Sequence, residues 1–419
     1  MTNKYILNPQ MTRIFADKNC HVVCRRGEIP DIFLLNPFAT ISMRTMASPM
    51  NILIIHPENK YVGGAEKMLE YFLTEFVESD CRVTVAVSPG SRMAKLLPPK
   101  AIPIWIEPND SFSLGAFWRQ AQTLKRARTE FPFDLIHGWA ARDWELASLA
   151  GWRCGCPAIG TLHDHPTATY ISAKRRRLMR WCANHGLKKI ICVSTAVQEA
   201  CVKAGYSQRK LTTVHNGLPD VANLPAARGE SPFRIGFLGA FSEFKGLRDL
   251  FQIADELAKI NPVPLELHLA GSAQNESGER LLAELRARYE SKNWWQHVHW
   301  HGWVESPRDF VRTLDLLVMP SREFETFGLV LVEAGQAGVP VLASRVGGVP
   351  EIVLEGQTGW LFEPGNVSQA IAILSQMISQ PDLARQMGHH AMERIKKEFS
   401  ATKMVAEYRR IYFNLRTNV

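Results

Sequence analysis

Two glutamates, Glu325 and Glu333, stand eight positions apart, and the residues between them are of a kind that can hold a phosphate. Thr326-Phe327-Gly328 opens an apolar run, and Leu329 to Ala334 reads as the first turns of a buried helix. A helix that starts after a glycine offers free backbone N–H groups and a positive dipole end, which suit an anion. Glu333 falls inside that apolar helix, where an unpartnered carboxylate is costly. A pair of sugar hydroxyls would supply donors; a buried arginine in an ordinary core helix would also do so.

Other residues with chemistry follow strand-like runs. Phe237-Leu238-Gly239-Ala240 leads into Lys245-Gly246, so an ammonium sits just before the next helix. Gly63-Gly64-Ala65-Glu66 follows the strand 51–55, and its glycines let backbone approach a ligand closely. Thr161-Leu162-His163-Asp164-His165-Pro166 ends the strand 157–161, which places an imidazole where strand ends gather. His137 ends another strand and is a second candidate for acceptor contact. Glu351, in Gly347-Gly348-Val349-Pro350-Glu351, is expected to cap the helix that follows it.

The elements that carry these residues alternate. Strands are expected at 51–55, 82–87, 102–106, 133–137, 157–161 and 189–193, with helices at 64–78, 114–130, 141–151 and 172–184. A second series has strands near 233–238, 265–269, 297–300, 315–319 and 339–343. Its helices lie near 246–260, 276–290, 306–313, 327–337 and 366–378. Both series are doubly wound α/β patterns. The expected organisation is a first domain over 50–217, a linker over 218–232, a second domain over 233–395, and a terminal helical segment, 396–419, that can cross back to the first domain. Residues 1–49 lack a clear period and the layout of a signal peptide. Met50 could be the native initiator, with 1–49 a misannotated leader; a short regulatory extension is the other reading.

The block Pro320–Asn366, with its Phe-Gly, Glu-Ala, Gly-Val-Pro and Gly-Gly-Val-Pro-Glu pieces in order, resembles the donor-binding signature of the family 4 (GT4-type) glycosyltransferases. The resemblance extends over about residues 50–417. It implies a GT-B fold, two Rossmann-like domains facing across a cleft, and a retaining, metal-independent transfer of sugar from a nucleotide-sugar, without a cofactor. It places Glu325 near the hydroxyls of the transferred sugar and Glu333 on the nucleotide ribose. The amides of Phe327, Gly328 and Leu329, together with Lys245, would meet the diphosphate. Gly63 and Gly64 would face donor phosphates and acceptor, and His163 would contact sugar or phosphate. One departure stands out: the family's arginine ahead of the lysine is Ala240 here, so a cation is missing or comes from Arg248, Arg322 or Arg345.

Charge and composition narrow the partners. The net charge is +8, but residues 174–210 hold ten Lys/Arg and one acid, so the rest of the chain is near −1. That pattern favours one local anionic surface over nucleic acid. Lys174 to Arg180 with Trp181 reads as a basic amphipathic helix that suits an anionic membrane leaflet, or as a helix docked on its own domain. The expected location is the cytoplasm, with peripheral attachment to the inner face of the plasma membrane as an option. The expected acceptor, a glycan or lipid-linked glycan of bacterial envelope polysaccharide or lipopolysaccharide, follows from the family's usual roles. Cys20/Cys24 and Cys154/Cys156 are close pairs without a second pair at zinc spacing, so free thiols are expected. A nicotinamide enzyme would need G-x-G-x-x-G after the first strand, and His56-Pro57-Glu58-Asn59-Lys60-Tyr61-Val62-Gly63-Gly64 does not supply it. A binding protein that keeps the fold without catalysis is the remaining alternative, raised by Ala240.

Overall fold

The computed structural model describes residues 50–416 apart from 58–62, 78–80, 109–112, 170, 221–231 and 261–264. The extension 1–49, the pair Cys20/Cys24 and most of the expected linker therefore lie outside the described residues.

Among the described residues, thirteen strands form two parallel sheets. The first contains β1 (Asn51–Ile55), β2 (Arg82–Val87), β3 (Ile102–Trp105), β4 (Leu135–Gly138), β5 (Ala158–Leu162), β6 (Lys189–Cys192) and β7 (Leu211–Thr213), in the order β3-β2-β1-β4-β5-β6-β7. The second contains β8 (Phe233–Leu238), β9 (Leu265–Ala270), β10 (Val298–Gly302), β11 (Leu316–Met319), β12 (Val341–Ser344) and β13 (Gly359–Phe362), in the order β10-β9-β8-β11-β12-β13. Each sheet reverses its winding once, at β1/β4 and at β8/β11. Ligands of such sheets bind outside the carboxyl ends of the strands at that reversal. The strand runs are continuous Val, Ile and Leu because helices cover both faces: Ile52 to Ile55, Leu135 and Ile136, and Leu316 to Met319 are all buried.

The fold is thus two Rossmann-like units of GT-B type. β7, β13, the helix Thr195–Lys203 and the helix Pro381–Glu398 were not anticipated. β7 is three residues long, too short for a period-two signal to emerge.

The chain passes between the units twice, side by side. Leu218 bridges Ser400, with Leu218 N donating to Phe399 O at 2.9 Å and Ala401 N donating to Leu218 O at 2.7 Å. After the second passage the helix Ala401–Arg416 packs on the helix Gly64–Phe76 of the first unit. Tyr408 and Tyr412 are fully buried there among Phe72, Phe76 and Trp139. The six described cysteines are buried, and none is disulfide-bonded to another of them.

Candidate functional site

The loops at the two sheet reversals meet. Lys245 follows β8, and its Nζ donates to Glu325 Oε2 at 2.5 Å on the loop after β11. Two glycines shape that loop. Gly328 caps the helix Leu329–Gln336 at φ 96°, a left-handed conformation that favours glycine, and no side chain caps the first amides of the helix. Gly347, at φ 50°, lies so close to Glu325 that a Cβ would stand 2.0 Å from the Glu325 carbonyl oxygen. Gly348 N then donates to that carbonyl at 2.8 Å. The loop after β12 therefore locks the backbone beneath Glu325.

Glu333 lies one turn into this helix and is 7% exposed. Burial pushes its carboxyl up to about 8, opposed only by Lys67 on the first unit. A group held so far from its ordinary range, in a cleft, is a site candidate. The hydroxyls of Ser321, just past β11, and Ser344, the last residue of β12, are buried and find no partner.

The first unit supplies the other wall. The helix Gly64–Phe76 starts opposite Leu329: a Cβ on Gly64 would be 4.0 Å from Leu329 Cδ2. His163 follows β5, with its ring 5.4 Å from that of Trp139. Its Nε2 is shielded and has no partner. Burial lowers its pKa to about 4, with Glu66 opposing and His56 assisting, so the ring is neutral at pH 7. His165 makes an edge contact with Phe324, the residue before Glu325, with ring centroids 4.7 Å apart. Ser194 Oγ donates to Thr326 O at 2.6 Å. The sequence-predicted residues Gly63, Gly64, His163, Lys245, Glu325, Phe327, Gly328, Leu329 and Glu333 thus lie on loops and helix ends at the junction of the two units.

Residues 225–394 match the family described as glycosyl transferases group 1, and residues 62–220 match glycosyltransferase family 4. The chain belongs to the group 1, family 4 type of glycosyltransferases. It is 40% identical over 114 residues to the N-acetyl-alpha-D-glucosaminyl L-malate synthase of Bacillus anthracis, which covers 27% of this chain and 30% of that protein. It is 22% identical over 351 residues to the lipopolysaccharide core biosynthesis glycosyltransferase LpsE of Rhizobium meliloti, covering 83% and 94%. The structure of Anabaena Alr3699/HepE in complex with UDP-glucose superposes with a TM-score of 0.72 at 21% identity, covering 87% of this chain and all of that one.

Several residues of this glycosyltransferase do not stand as expected. The three arginines that could replace the one missing at Ala240 are already paired. Arg248 binds Glu243 and Glu284, Arg322 binds Asp249 through two bonds of 2.7 and 2.5 Å, and Arg345 binds Glu355 and Glu363. His137 is not an acceptor contact. It is wholly buried, with Nδ1 2.8 Å from the Tyr412 hydroxyl and Nε2 2.8 Å from Thr161 Oγ1. Burial, then the neighbouring His163, lowers its pKa to about 3. Glu351 caps a helix of the other unit rather than its own: it accepts from Thr195 N at 2.8 Å, Ala196 N at 2.9 Å and His215 Nε2 at 2.7 Å. On the basic helix Ala173–Trp181, Arg175 binds Glu145, and Arg176 and Arg180 donate to backbone carbonyls. Those three cations hold the helix to its own domain, while Lys174, Arg177 and Trp181 remain exposed.

The residue the sequence reading missed is His56, at the end of β1. Its Nδ1 is 2.9 Å from Asp143 Oδ2 and its Nε2 3.2 Å from Glu66 Oε1, all buried. Burial lowers its pKa, but the charge and hydrogen bonds of Asp143 and Glu66 outweigh this and raise it to about 10. Burial likewise raises Glu66, yet the His56 bond and charge bring it down to about 2. Glu66 Oε2 in turn accepts from Gly63 N at 2.7 Å, so an imidazolium fixes the carboxylate that fixes the Gly-Gly loop.

Proposed function

We propose that this glycosyltransferase is a retaining, metal-independent enzyme that moves a sugar from a nucleoside diphosphate donor to a glycan or lipid-linked glycan. The observation that carries the reading is the Lys245–Glu325 pair beside the open helix end at Gly328, with Glu333 buried one turn along. The helix amides and Lys245 stabilise the leaving diphosphate, whose charge grows as the glycosidic bond breaks. Glu333 accepts from the ribose hydroxyls, which satisfy a carboxylate otherwise left in apolar surroundings. Glu325 accepts from hydroxyls of the transferred sugar. His163 offers a neutral imidazole to sugar or phosphate. No covalent nucleophile is assigned; the departing phosphate assists removal of the acceptor proton on the same face of the sugar. The meeting of the two units excludes water that would hydrolyse the donor.

The acceptor pathway proposed is envelope polysaccharide or lipopolysaccharide assembly, supported by the likeness to LpsE. None of the helices among the described residues is long and apolar enough to cross a membrane. Contact with an anionic leaflet through Lys174, Arg177 and Trp181 at the inner face of the plasma membrane would be peripheral.

The test is a panel of nucleotide-sugars screened for protection against thermal unfolding, followed by transfer with the protecting donor in EDTA. Retention of the donor's anomeric configuration and full activity in EDTA are expected. An inverted product, or activity abolished by EDTA and restored by Mg²⁺ or Mn²⁺, would overturn those two elements. Donor binding without hydrolysis or transfer to any acceptor would favour a non-catalytic binding role.

A further inference from the structure

The second sheet carries a cluster of imidazoles away from the cleft. Glu266 and His268 alternate with Leu267 and Leu269 on β9, so the two polar side chains share one face while the leucines enter the core. On the adjacent edge strand β10, His299 pairs in register with His268. The register then shifts between Trp300 and Gly302, a bulge that leaves His301 as the extra residue. His268 Nε2 is 3.1 Å from Glu266 Oε2, and His299 Nε2 is 3.8 Å from Glu266 Oε1. The His268 and His299 rings lie face to face, 4.6 Å between centroids. His299 Nε2 is shielded from solvent yet has no hydrogen-bond partner. Behind the cluster, His268 Nδ1 is 3.0 Å from His301 Nε2, and the His301 ring rests on Phe310.

We infer that Glu266, His268 and His299 form a binding site for a divalent transition ion of the zinc class, which ties the edge strand β10 to β9. Among the described residues this is the one group of His, Cys, Asp and Glu side chains whose ligand atoms converge, all within 4.8 Å of one another. Tetrahedral zinc with bonds near 2.1 Å separates its ligand atoms by about 3.4 Å, so the three side chains, whose ligand atoms lie within 4.8 Å of one another, need to close by only about an ångström to hold it. Two imidazoles and one carboxylate suit zinc, with water completing the shell. His301 has the place of an outer partner: with His268 Nε2 on the metal, Nδ1–H donates to His301 Nε2 and fixes the ring. Binding selects the His268 tautomer with its proton on Nδ1, so the contact of Nε2 with Glu266 gives way to the metal while the ring keeps its one proton, now shared with His301. The site is separate from transfer chemistry, because its ligands stand within the strands whereas Lys245 and Glu325 lie on loops beyond the carboxyl ends of β8 and β11.

The experiment uses the full chain without an affinity tag, titrated with Zn²⁺ against a chromophoric chelator. One Zn²⁺ per chain with Kd at or below about 1 μM is expected, with a higher unfolding midpoint in its presence. His299→Ala, at a half-buried edge position, should weaken binding about 100-fold, and His301→Ala about 10-fold through loss of ring orientation. Both variants should fold, as circular dichroism will show, and should keep donor-dependent transfer. Co²⁺ in place of Zn²⁺ should give the intense visible bands of a tetrahedral site, absent in His299→Ala. A wild-type Kd weaker than about 0.1 mM, or unchanged affinity in His299→Ala, would overturn the site and leave an ordinary polar sheet edge.

Discussion

Replacing His56 by glutamine tests whether a buried imidazolium holds the first loop of the cleft. The folded pKa is about 10 against an unfolded value near 6.5. The sign follows from this direction. With a raised folded pKa, the stabilisation is complete below pH 6.5 and is lost as pH climbs through 10. Between those limits the native state holds one extra proton, so stability should fall by roughly 1.4 kcal/mol per pH unit and by at most about 5 kcal/mol in all. Glu333 contributes a decline of the same sign, but only up to its own folded pKa of about 8. The difference between wild type and His56→Gln, followed by urea unfolding from pH 7 to 9, removes that contribution. Glutamine leaves Asp143 and Glu66 buried without a cation, and a loss of about 3–5 kcal/mol at pH 7 is expected, shrinking as pH rises. Equal stabilities at pH 7, or a difference independent of pH, would refute an imidazolium at this position. Nucleotide-sugar affinity should drop as well, since Gly63 N is held by the Glu66 carboxylate that His56 orients.

Three further outcomes are expected. Lys245→Ala should lower turnover by on the order of 10²-fold, with a smaller change in donor affinity, and a normal turnover number in steady-state kinetics would remove it from the leaving-group role. Glu333→Gln should weaken binding of the free nucleotide by calorimetry while raising the stability of the unliganded protein above pH 8, because the raised carboxyl loses its stabilisation as pH rises from 4.5 through 8 and the amide does not ionise. Tyr412→Phe should cost about 1–3 kcal/mol in urea unfolding by leaving His137 Nδ1 without a partner, and a neutral result would mean that another group satisfies it.

The strands and the donor loop were legible because both are written in contiguous residues: runs of β-branched side chains, and glycine before an apolar helix. The two strand-end histidines show where that stops. His137 and His163 look alike in one dimension, each closing a strand over the cleft. They differ because Tyr412, 275 positions away, reaches His137, whereas His163 Nε2 is left open. His56 also ends a strand, but its meaning depends on Asp143, 87 positions on, which no local pattern connects to it. Glu351 misled for the same reason: the helix it caps comes 155 or so positions earlier and belongs to the other unit. The arginines near the donor loop could be named from sequence, but their engagement with acids could not.

The last helix has a consequence for how the protein is made. The first unit emerges from the ribosome long before Tyr408 and Tyr412 exist, and Thr161 must wait for a hydroxyl 247 positions downstream. At ordinary translation rates this interval is on the order of ten seconds or more. Throughout it, Phe72, Phe76 and Trp139 lack the cover that Tyr408 and Tyr412 give them. A chain stalled before residue 401 therefore presents an aromatic surface suited to chaperones and proteases. Synthesis of residues 401–416 is what covers it, so chains that lack this helix differ at this surface from chains that carry it.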